Sequence, residues 1–378
     1  MSEGTHVRFY VFSPVFHVRP RNTDWLYNCS LPQVKEFTDG LEIYLQQAWL
    51  PSLLTNARIA ASIAGGRLHL PVPPVLRPQI EDKFSLRDLR RSGADVVFGH
   101  SPTNVSHLPL ICHTGPTFEE AMRQRGIPQA AIDAERAIKL RTIRRSQLVT
   151  LNSEAGAESL RAIAPDARDK IRSIPFFLPH LQMTTRTLVE EKFANPQTIK
   201  LIFVGREARR KGLPAVLEAF QVADQLYPGR LELQVISSFA DGPVPLPKLP
   251  NLSYRPEAGR DEVAAAMRGS HILLMPSLYE SYGWVYLEAL AAGAIAIACD
   301  AGTQREILAE GNAGVLVRPD AGAVTDALLK LLAHPAEMLP LALRGWERVR
   351  DAYEPHIVAG RMKELGIEAK ERFKAEKL

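Results

Sequence analysis

A basic, glycine-bracketed turn is the first place in this sequence where residue types and spacing could do chemistry. The apolar run KLIFV leads into GREARRKG (Gly205–Gly212), and a helix is predicted from Leu213. The start of a helix offers unpaired N–H groups and a partial positive charge to an anion, and Arg206 and Lys211 can add charge-assisted hydrogen bonds to a diphosphate. The turn lacks the P-loop and G-x-G-x-x-G spacings, and taken alone it fits an ordinary exposed basic turn equally well.

Two glutamates eight residues apart form the second candidate site. Glu280 follows the apolar run ILLM, at a strand end where open α/β sheets bind ligands, and Glu288 lies inside the next apolar helix. A carboxylate on an apolar helix surface needs a partner, and neighbouring sugar hydroxyls can donate strong hydrogen bonds to it. Gly283 would let backbone amides approach the same ligand. The alternative is one capping glutamate and one solvent-facing glutamate.

Alternating apolar strands and helices must position these residues. Strands are predicted at 6–12, 95–98, 108–112, 147–151 and 171–174, and a strand–helix alternation runs from Lys200 to Ala333. This alternation predicts doubly wound α/β sheets, and 378 residues predict two domains. We place an N-terminal domain at 1–180, a linker at 181–198, a C-terminal domain at 199–353, and a helical tail at 354–378 that could pack back on the first domain.

The composition excludes several classes of protein. With 46% hydrophobic and 23% charged residues, the chain resembles ordinary globular proteins rather than disordered or collagen-like ones. Three widely separated cysteines argue against a disulfide framework and against a cysteine-built zinc site. Neither a secretory signal peptide nor a sufficiently long apolar run for a spanning helix is apparent. We therefore expect a cytoplasmic protein.

The net charge of +4 originates in the first half of the chain. The basic residues there concentrate at Arg87–Arg91 and Lys139–Arg145. Such runs are usually solvated helix faces, but they also leave open a peripheral contact with anionic lipids at the inner face of a membrane. Nucleic-acid binding is disfavoured because no aromatic residues alternate with these charges.

The two candidate sites together resemble a known enzyme family. The segment ESYGWVYLEA (280–289) is similar to the E-x7-E signature of retaining glycosyltransferases of family 4, the glycosyltransferases group 1, and GREARRKG resembles that family's phosphate-binding element. The runs DVVFGH, LPLICHTG, LVTLNSE and KIRSIP are similar to strand ends of its first domain. The resemblance implies a GT-B fold, with two Rossmann-like doubly wound domains facing across a cleft.

The resemblance also implies roles for individual residues. Arg206 and Lys211 would hold the donor diphosphate, and Glu288 would bind the ribose hydroxyls. Glu280 and His113 would be the catalytic pair: Glu280 would contact the transferred sugar and His113 would face it from the first domain, whereas His100 is expected to be structural. The complete donor-binding set comes from both motifs: Gly205, Arg206, Lys211, Tyr282, Gly283, Trp284, Val285 and Glu288.

The implied activity is transfer of a hexosyl group from a UDP- or GDP-linked sugar, with retention of configuration. The acceptor would be a hydroxyl of a glycan, a lipid-linked molecule or a small molecule, as in polysaccharide or glycolipid biosynthesis. No metal or other cofactor is expected, because cations at the diphosphate can replace a metal and the chain has no D-x-D triad. A catalytically degenerate GT-B protein that serves as a nucleotide-sugar-binding or scaffold subunit is the alternative, and the oligomeric state is open.

The first domain departs from the family pattern on the acceptor side. The stretch SPVFHVRPR (13–21) contains no glycine where a double-glycine loop is common, and PFFLP (175–179) replaces an N-G-V-D-like turn. Aromatic residues could line an acceptor pocket, although a place in the core is their more common role. These residues are Trp25, Tyr27, Trp49, Phe176 and Phe177.

Overall fold

A computed structural model describes residues 6–12, 41–45, 89–99, 107–115, 119, 123, 126–175, 181–280 and 282–377. The chain divides into two compact units. Residues 1–179 and 354–378 form the first unit, and residues 180–353 form the second.

The first unit is built on a parallel sheet with the strand order β2-β1-β3-β4-β5-β6. The central strands are fully buried, as expected for parallel strands with both faces covered. One face packs against two helices through the side chains of Ile143 and Leu160. The elements are β1 (Val7–Phe12), β2 (Leu41–Leu45), β3 (Val96–Gly99), β4 (Leu110–His113), α1 (Gln129–Arg145), β5 (Leu148–Leu151), α2 (Glu154–Ile163), a 3₁₀ turn (Pro165–Lys170) and β6 (Ile171–Ser173).

The second unit is also a parallel sheet flanked by helices. Its elements are α3 (Arg186–Phe193), β7 (Ile199–Val204), α4 (Leu213–Leu226), β8 (Leu231–Ile236), β9 (Leu252–Arg255), α5 (Arg260–Gly269), β10 (Ile272–Leu274), α6 (Trp284–Ala291), β11 (Ile295–Cys299), α7 (Gly302–Ile307), β12 (Val315–Val317), α8 (Ala321–Ala333) and α9 (Met338–Ala352). Two 3₁₀ turns, Ala309–Gly311 and Pro335–Glu337, complete it. The predicted doubly wound α/β fold class is confirmed.

The strand order of the second sheet explains how distant motifs can meet. The order is β12-β11-β10-β7-β8-β9, so the chain runs outward from β7 to β9 and then returns to the other side of β7 at β10. The carboxyl ends of two such neighbouring strands form the crevice where open α/β sheets bind ligands. The basic turn follows β7, and Glu280 follows β10. The topology therefore brings the two candidate sites to one edge.

The stretch predicted as a linker, residues 181–198, is instead a structured part of the second unit. It contains α3, which is capped by the Thr185 hydroxyl and buries Val189 completely. The Thr184 N–H donates to Ala291 O at 2.9 Å, and the Trp346 indole donates to Thr184 O at 2.8 Å. The linker prediction was wrong because only one apolar side chain of this short helix is fully buried, which leaves little periodicity to detect.

The last helix of the chain, α10 (Pro355–Ala375), lies in the first unit. Its buried side chains include Val358 and Met362, and they share a core with Val7 and Phe9 of β1. The approach is closest at Gly366, where an added Cβ would lie 2.6 Å from Val7 Cγ1. This helix therefore covers the sheet face opposite α1 and α2.

Candidate functional site

The basic turn after β7 depends on its two glycines. An added Cβ at Gly205 would lie 2.1 Å from Lys211 Cδ, so the absence of a side chain lets the lysine stem cross this backbone. Gly212 has a φ of +85°, and an added Cβ there would lie 2.6 Å from Pro276 O. A glycine adopts this left-handed conformation without the usual steric cost. Lys211 is therefore directed toward the loop that follows β10.

The loop after β8 holds the turn in place. The Asp241 carboxylate accepts hydrogen bonds from the backbone N–H groups of Arg210 (2.8 Å) and Arg209 (3.2 Å). The Ala240 N–H donates to Arg206 O at 2.7 Å. Burial acts to raise the pKa of Asp241, but these backbone donors hold the pKa below its ordinary value, so Asp241 remains ionised. Asp241 therefore fixes the backbone of the turn, a role that the sequence alone does not reveal.

Lys211 and Glu280 meet in an ion pair at the centre of the candidate site. Lys211 Nζ lies 3.1 Å from Glu280 Oε1, and the two side chains are only 15% and 10% exposed. The Ser277 hydroxyl donates to the same oxygen at 2.9 Å. Because these contacts converge on Oε1, among the described residues Oε2 retains its accepting positions for a ligand.

A second cation, Arg210, completes this cluster and was not singled out from the sequence. Its Nη1 lies 3.6 Å from Glu280 Oε1 and donates to Tyr279 O at 2.6 Å. Its Nε donates to Glu207 Oε2 at 2.8 Å. Arg206, the predicted diphosphate ligand, is exposed, and its guanidinium makes no hydrogen bond or ion pair with a described residue. Arg210 therefore supports the Glu280 loop, whereas Arg206 remains available to a ligand.

The start of α6 lies close to the ion pair along the chain. Gly283 caps the helix with a φ of +100°. The Tyr282 ring packs edge-on against Trp284 at 5.0 Å, and Tyr282 and Val285 are buried. The side chains of Tyr282 and Val285 therefore serve packing, and the backbone N–H groups of the first helical turn are what this segment offers to an anion.

Glu288 lies one turn further along α6, half-buried beside a cavity of about 210 Å³. Burial raises its pKa to about 7, against the opposing influence of Arg260 and Lys211. Its carboxylate makes no hydrogen bond or ion pair with any described residue. A half-buried carboxylate without such partners among the described residues can accept hydrogen bonds from a ligand. The other residues that line the cavity are Leu181, Gln182, Arg260, Val263, Ala264, Arg268 and Ala292.

His113 belongs to the first unit, at the end of β4, and is 3% exposed. Its Nδ1 lies 3.1 Å from Thr150 Oγ1, and its ring stacks on Phe98 with 6.1 Å between centroids. The structure thus brings together Gly205, Lys211 and Glu280 within the second unit, and α6 begins four residues after Glu280. His113 lies at the corresponding edge of the first sheet. His100, residues 13–21 and 176–179, and the acceptor-side aromatic residues lie outside the described residues.

The basic run Lys139–Arg145 forms the end of α1. Arg141, Arg144 and Arg145 are exposed, whereas Lys139 Nζ donates to Gly115 O at 2.8 Å. Within the described ranges, no helix combines the length and apolarity needed to cross a bilayer. The same ranges contain no group of three or more His, Cys, Asp or Glu side chains that could hold a metal ion.

Comparison with known proteins connects this site to a family. The model of the family Glycosyl transferases group 1 matches residues 198–334. The chain is 34% identical over 172 residues to phosphatidyl-myo-inositol mannosyltransferase of Mycobacterium leprae. The aligned region covers 43% of this chain and 44% of the relative. It is 26% identical over 233 residues to D-inositol 3-phosphate glycosyltransferase of Paenarthrobacter aurescens, covering 58% and 53%. The chain thus spans about half the length of the curated relatives it matches.

Solved structures extend the similarity over both units. The structure of Anabaena Alr3699/HepE in complex with UDP-glucose superimposes with a TM-score of 0.62 at 13% identity, covering 95% of this chain and 99% of that one. At this identity the likeness shows the fold alone. The family match covers both the basic turn and the paired glutamates, so the resemblance inferred from these motifs is confirmed. The family model of Glycosyl transferases group 1 thus matches the second unit over residues 198–334, and the chain as a whole has the GT-B fold.

Proposed function

We propose that this chain is a retaining, metal-independent glycosyltransferase that moves a hexosyl group from a UDP- or GDP-linked sugar to an acceptor hydroxyl. The observation that carries the proposal is the contact between the two motifs: Lys211 of the basic turn and Glu280 of the E-x7-E segment lie 3.1 Å apart at the strand-order reversal. A cation that can bind a diphosphate thus lies beside a carboxylate that can bind sugar hydroxyls. Because the diphosphate of a nucleotide sugar is bonded directly to the sugar, one donor molecule can contact both groups.

The donor would lie across the carboxyl ends of β7 and β10. Lys211 and the exposed Arg206 neutralise the diphosphate together with the backbone N–H groups at the start of α6. Glu288 accepts hydrogen bonds from the ribose hydroxyls, which supply the partners that its half-buried carboxylate lacks among the described residues. Glu280 accepts from the hydroxyls of the transferred sugar. For His113, contact with the same sugar remains a prediction.

In the proposed reaction, the site stabilises the charge that develops as one bond breaks and another forms. The bond between the anomeric carbon and the diphosphate oxygen breaks, and a bond from that carbon to the acceptor oxygen forms on the same face. The acceptor proton passes to the leaving diphosphate. Negative charge therefore develops on the diphosphate, where preorganised cations such as Lys211 stabilise the transition state. No side chain acts as a nucleophile in this proposal.

The acceptor is a hydroxyl of a glycan, a lipid-linked molecule or a small molecule. The names of two relatives, one acting on phosphatidyl-myo-inositol and one on D-inositol 3-phosphate, favour testing inositol-containing acceptors first. Peripheral contact with an anionic membrane surface through the exposed arginines of α1, in a cytoplasmic protein, is part of the same proposal.

A thermal-shift screen with UDP, GDP, ADP and their sugars tests donor binding, because a ligand that binds only the folded state raises Tm. We expect one nucleotide and its sugar to raise Tm. Release of the nucleoside diphosphate is then measured with inositol, inositol phosphate and phosphatidylinositol vesicles as acceptors. A chain that no nucleotide stabilises would overturn the proposal, and binding without release would indicate a binding or scaffold subunit instead.

A further inference from the structure

A buried amide behind the Glu280 loop has no role in the function proposed above. Gln304 lies in α7, which follows β11, and its side chain is 1% exposed. Burying an amide costs free energy unless it is hydrogen-bonded. Gln304 Nε2 donates to Ser277 O at 3.2 Å, in the loop after β10. The amide therefore joins the ends of two neighbouring strands.

Ser277 connects this amide to the Glu280 carboxylate. The residue is fully buried, and its Oγ donates to Glu280 Oε1 at 2.9 Å. Its own backbone N–H donates to Met275 O at 2.8 Å. Ser277 is thus held at its N–H and at its carbonyl, while its hydroxyl orients the carboxylate. Two consecutive hydrogen bonds run from Gln304 to Glu280.

The other supports of Glu280 are charged. Lys211 Nζ contacts Glu280 at 3.1 Å, and Arg210 Nη1 lies at 3.6 Å. A bound diphosphate attracts both cations, and Lys211 must then divide its hydrogen bonds between the diphosphate and Glu280. The neutral support through Ser277 does not compete for the diphosphate. It remains to fix Glu280 when the charged contacts rearrange.

We propose that Gln304 is a positioning residue for Glu280 and acts through Ser277. It holds the loop after β10 in the geometry in which Glu280 meets the hydroxyls of the transferred sugar. This inference rests on the proposed function, in which Glu280 contacts the sugar and Lys211 contacts the diphosphate. Loss of the amide therefore weakens recognition of the sugar and spares recognition of the nucleotide.

The test is Gln304→Met, which preserves the length of the side chain and removes its donor. Binding of UDP, GDP, UDP-glucose and GDP-mannose is measured by calorimetry. For the nucleotide sugar that binds the wild type, we expect Kd to rise about tenfold and the Kd of its free nucleoside diphosphate to stay within about twofold. Release of nucleoside diphosphate should fall about 10- to 100-fold, because a small misplacement of a contact group is costly in the transition state.

Gln221→Met, at an exposed position of α4, is the matched control and should change neither Kd. A purely structural role for Gln304 predicts a lower Tm and an equal rise in both Kd values, and this result would overturn the proposal. Unchanged affinity for the nucleotide sugar would overturn it as well. A wild type that binds none of the four ligands overturns the proposed function itself, which distinguishes the two failures.

Ser277→Ala provides a second route if Gln304→Met does not fold. It removes the hydroxyl that contacts Glu280 and should reproduce the selective loss of affinity for the nucleotide sugar. Where both variants fold, the double variant should lose little more than either single one, because both act on one chain of hydrogen bonds. Additive losses, or a Ser277→Ala variant with normal affinity for the sugar, would contradict the proposal.

Discussion

The two sheets differ at the edge formed by the carboxyl ends of their strands. In the second unit, β7 and β10 end at a cluster of charge, where Lys211 and Glu280 are 3.1 Å apart with side chains only 15% and 10% exposed. In the first unit, β4 ends at His113, which is 3% exposed between the Phe98 ring and the Thr150 hydroxyl. Among the described residues, the same architecture thus carries a lysine–glutamate ion pair at one edge and a buried histidine beside an aromatic ring at the other.

The residues after each strand explain this difference. A glycine-bracketed turn follows β7, and it brings the lysine stem across the backbone at Gly205. Thr114 and Gly115 follow β4, and Lys139 of α1 donates to Gly115 O. We therefore assign the stabilisation of diphosphate charge to the second unit, and the following predictions test that assignment.

Lys211→Ala should have the largest effect. Release of nucleoside diphosphate should fall about 1,000-fold, because a preorganised cation at the leaving diphosphate stabilises the developing charge. Glu280→Gln should cause a comparable loss without unfolding the chain, as judged by circular dichroism. Lys330→Ala, at an exposed position of α8, is the matched control and should retain the full rate. Full turnover in Lys211→Ala would contradict the assignment of diphosphate stabilisation to the second unit.

Gly205→Ala should have the next largest effect. The new Cβ would lie 2.1 Å from Lys211 Cδ, so the lysine stem must move and turnover should fall about 100-fold. The control is Gly360→Ala in α10, where an added Cβ meets no atom within 4 Å. That variant should gain about 0.5–1 kcal/mol in the free energy of unfolding, because alanine favours the helix. If Gly205→Ala retains the wild-type rate, the path of the lysine stem is unimportant.

Much of this arrangement could be predicted from the sequence, because its signals are local. Parallel strands buried on both faces appear as apolar runs, and a glycine-bracketed basic turn after a strand indicates an anion site. Strand β9 was not predicted because three of its four residues are exposed at the edge of the sheet. An edge strand of this kind carries too little apolar pattern to be detected.

The residues that support the site could not be predicted for a different reason. Asp241 and Gln304 are polar residues in loops or short helices, and nothing in their neighbourhood along the chain distinguishes them from surface residues. Their roles depend on contacts across the sheet, to the turn after β7 and to the loop after β10. Arg210 was overlooked beside Lys211 because a run of adjacent basic residues does not show which side chain turns inward.

Glu288 gives a pH-dependent test of intermediate size. Its pKa of about 7 means that binding of ribose hydroxyls to the carboxylate must release a proton at lower pH. The Kd of the nucleotide sugar, measured by calorimetry, should therefore rise about tenfold from pH 8 to pH 6. Glu288→Gln should bind more weakly but without this dependence. A wild type with the same pH profile as Glu288→Gln would contradict the assignment.

The same raised pKa affects stability in a defined direction. The folded state holds the Glu288 proton more tightly than the unfolded state, whose carboxyl has a pKa near 4.5. This tighter proton binding stabilises the folded state. The stabilisation is fully present below pH 4.5 and is lost as the pH rises through 7. In denaturant titrations, the free energy of unfolding of the wild type should therefore fall relative to that of Glu288→Gln as the pH rises from 4.5 to above 7.

His113→Phe should have the smallest effect and tests the edge of the first unit. The substitution preserves an aromatic ring beside Phe98 and removes the ring nitrogens. Turnover should fall about fivefold, because the variant loses the net stabilisation of about one hydrogen bond. The Kd of the free nucleoside diphosphate should stay unchanged. Thr150→Val removes the hydroxyl that contacts Nδ1 and serves as the companion variant. Unchanged turnover together with a lower Tm would assign His113 a purely structural role.

The position of α10 has a consequence for biosynthesis. The second unit is continuous in the chain, whereas the first is completed by a helix that the ribosome makes after the whole second unit. Until residues 355–375 emerge, Val7 and Phe9 lack the α10 side chains, such as Val358 and Met362, that share their core in the finished protein. The first unit therefore cannot complete its core until the second unit has been synthesised, and partly folded domains of this kind are prone to aggregation.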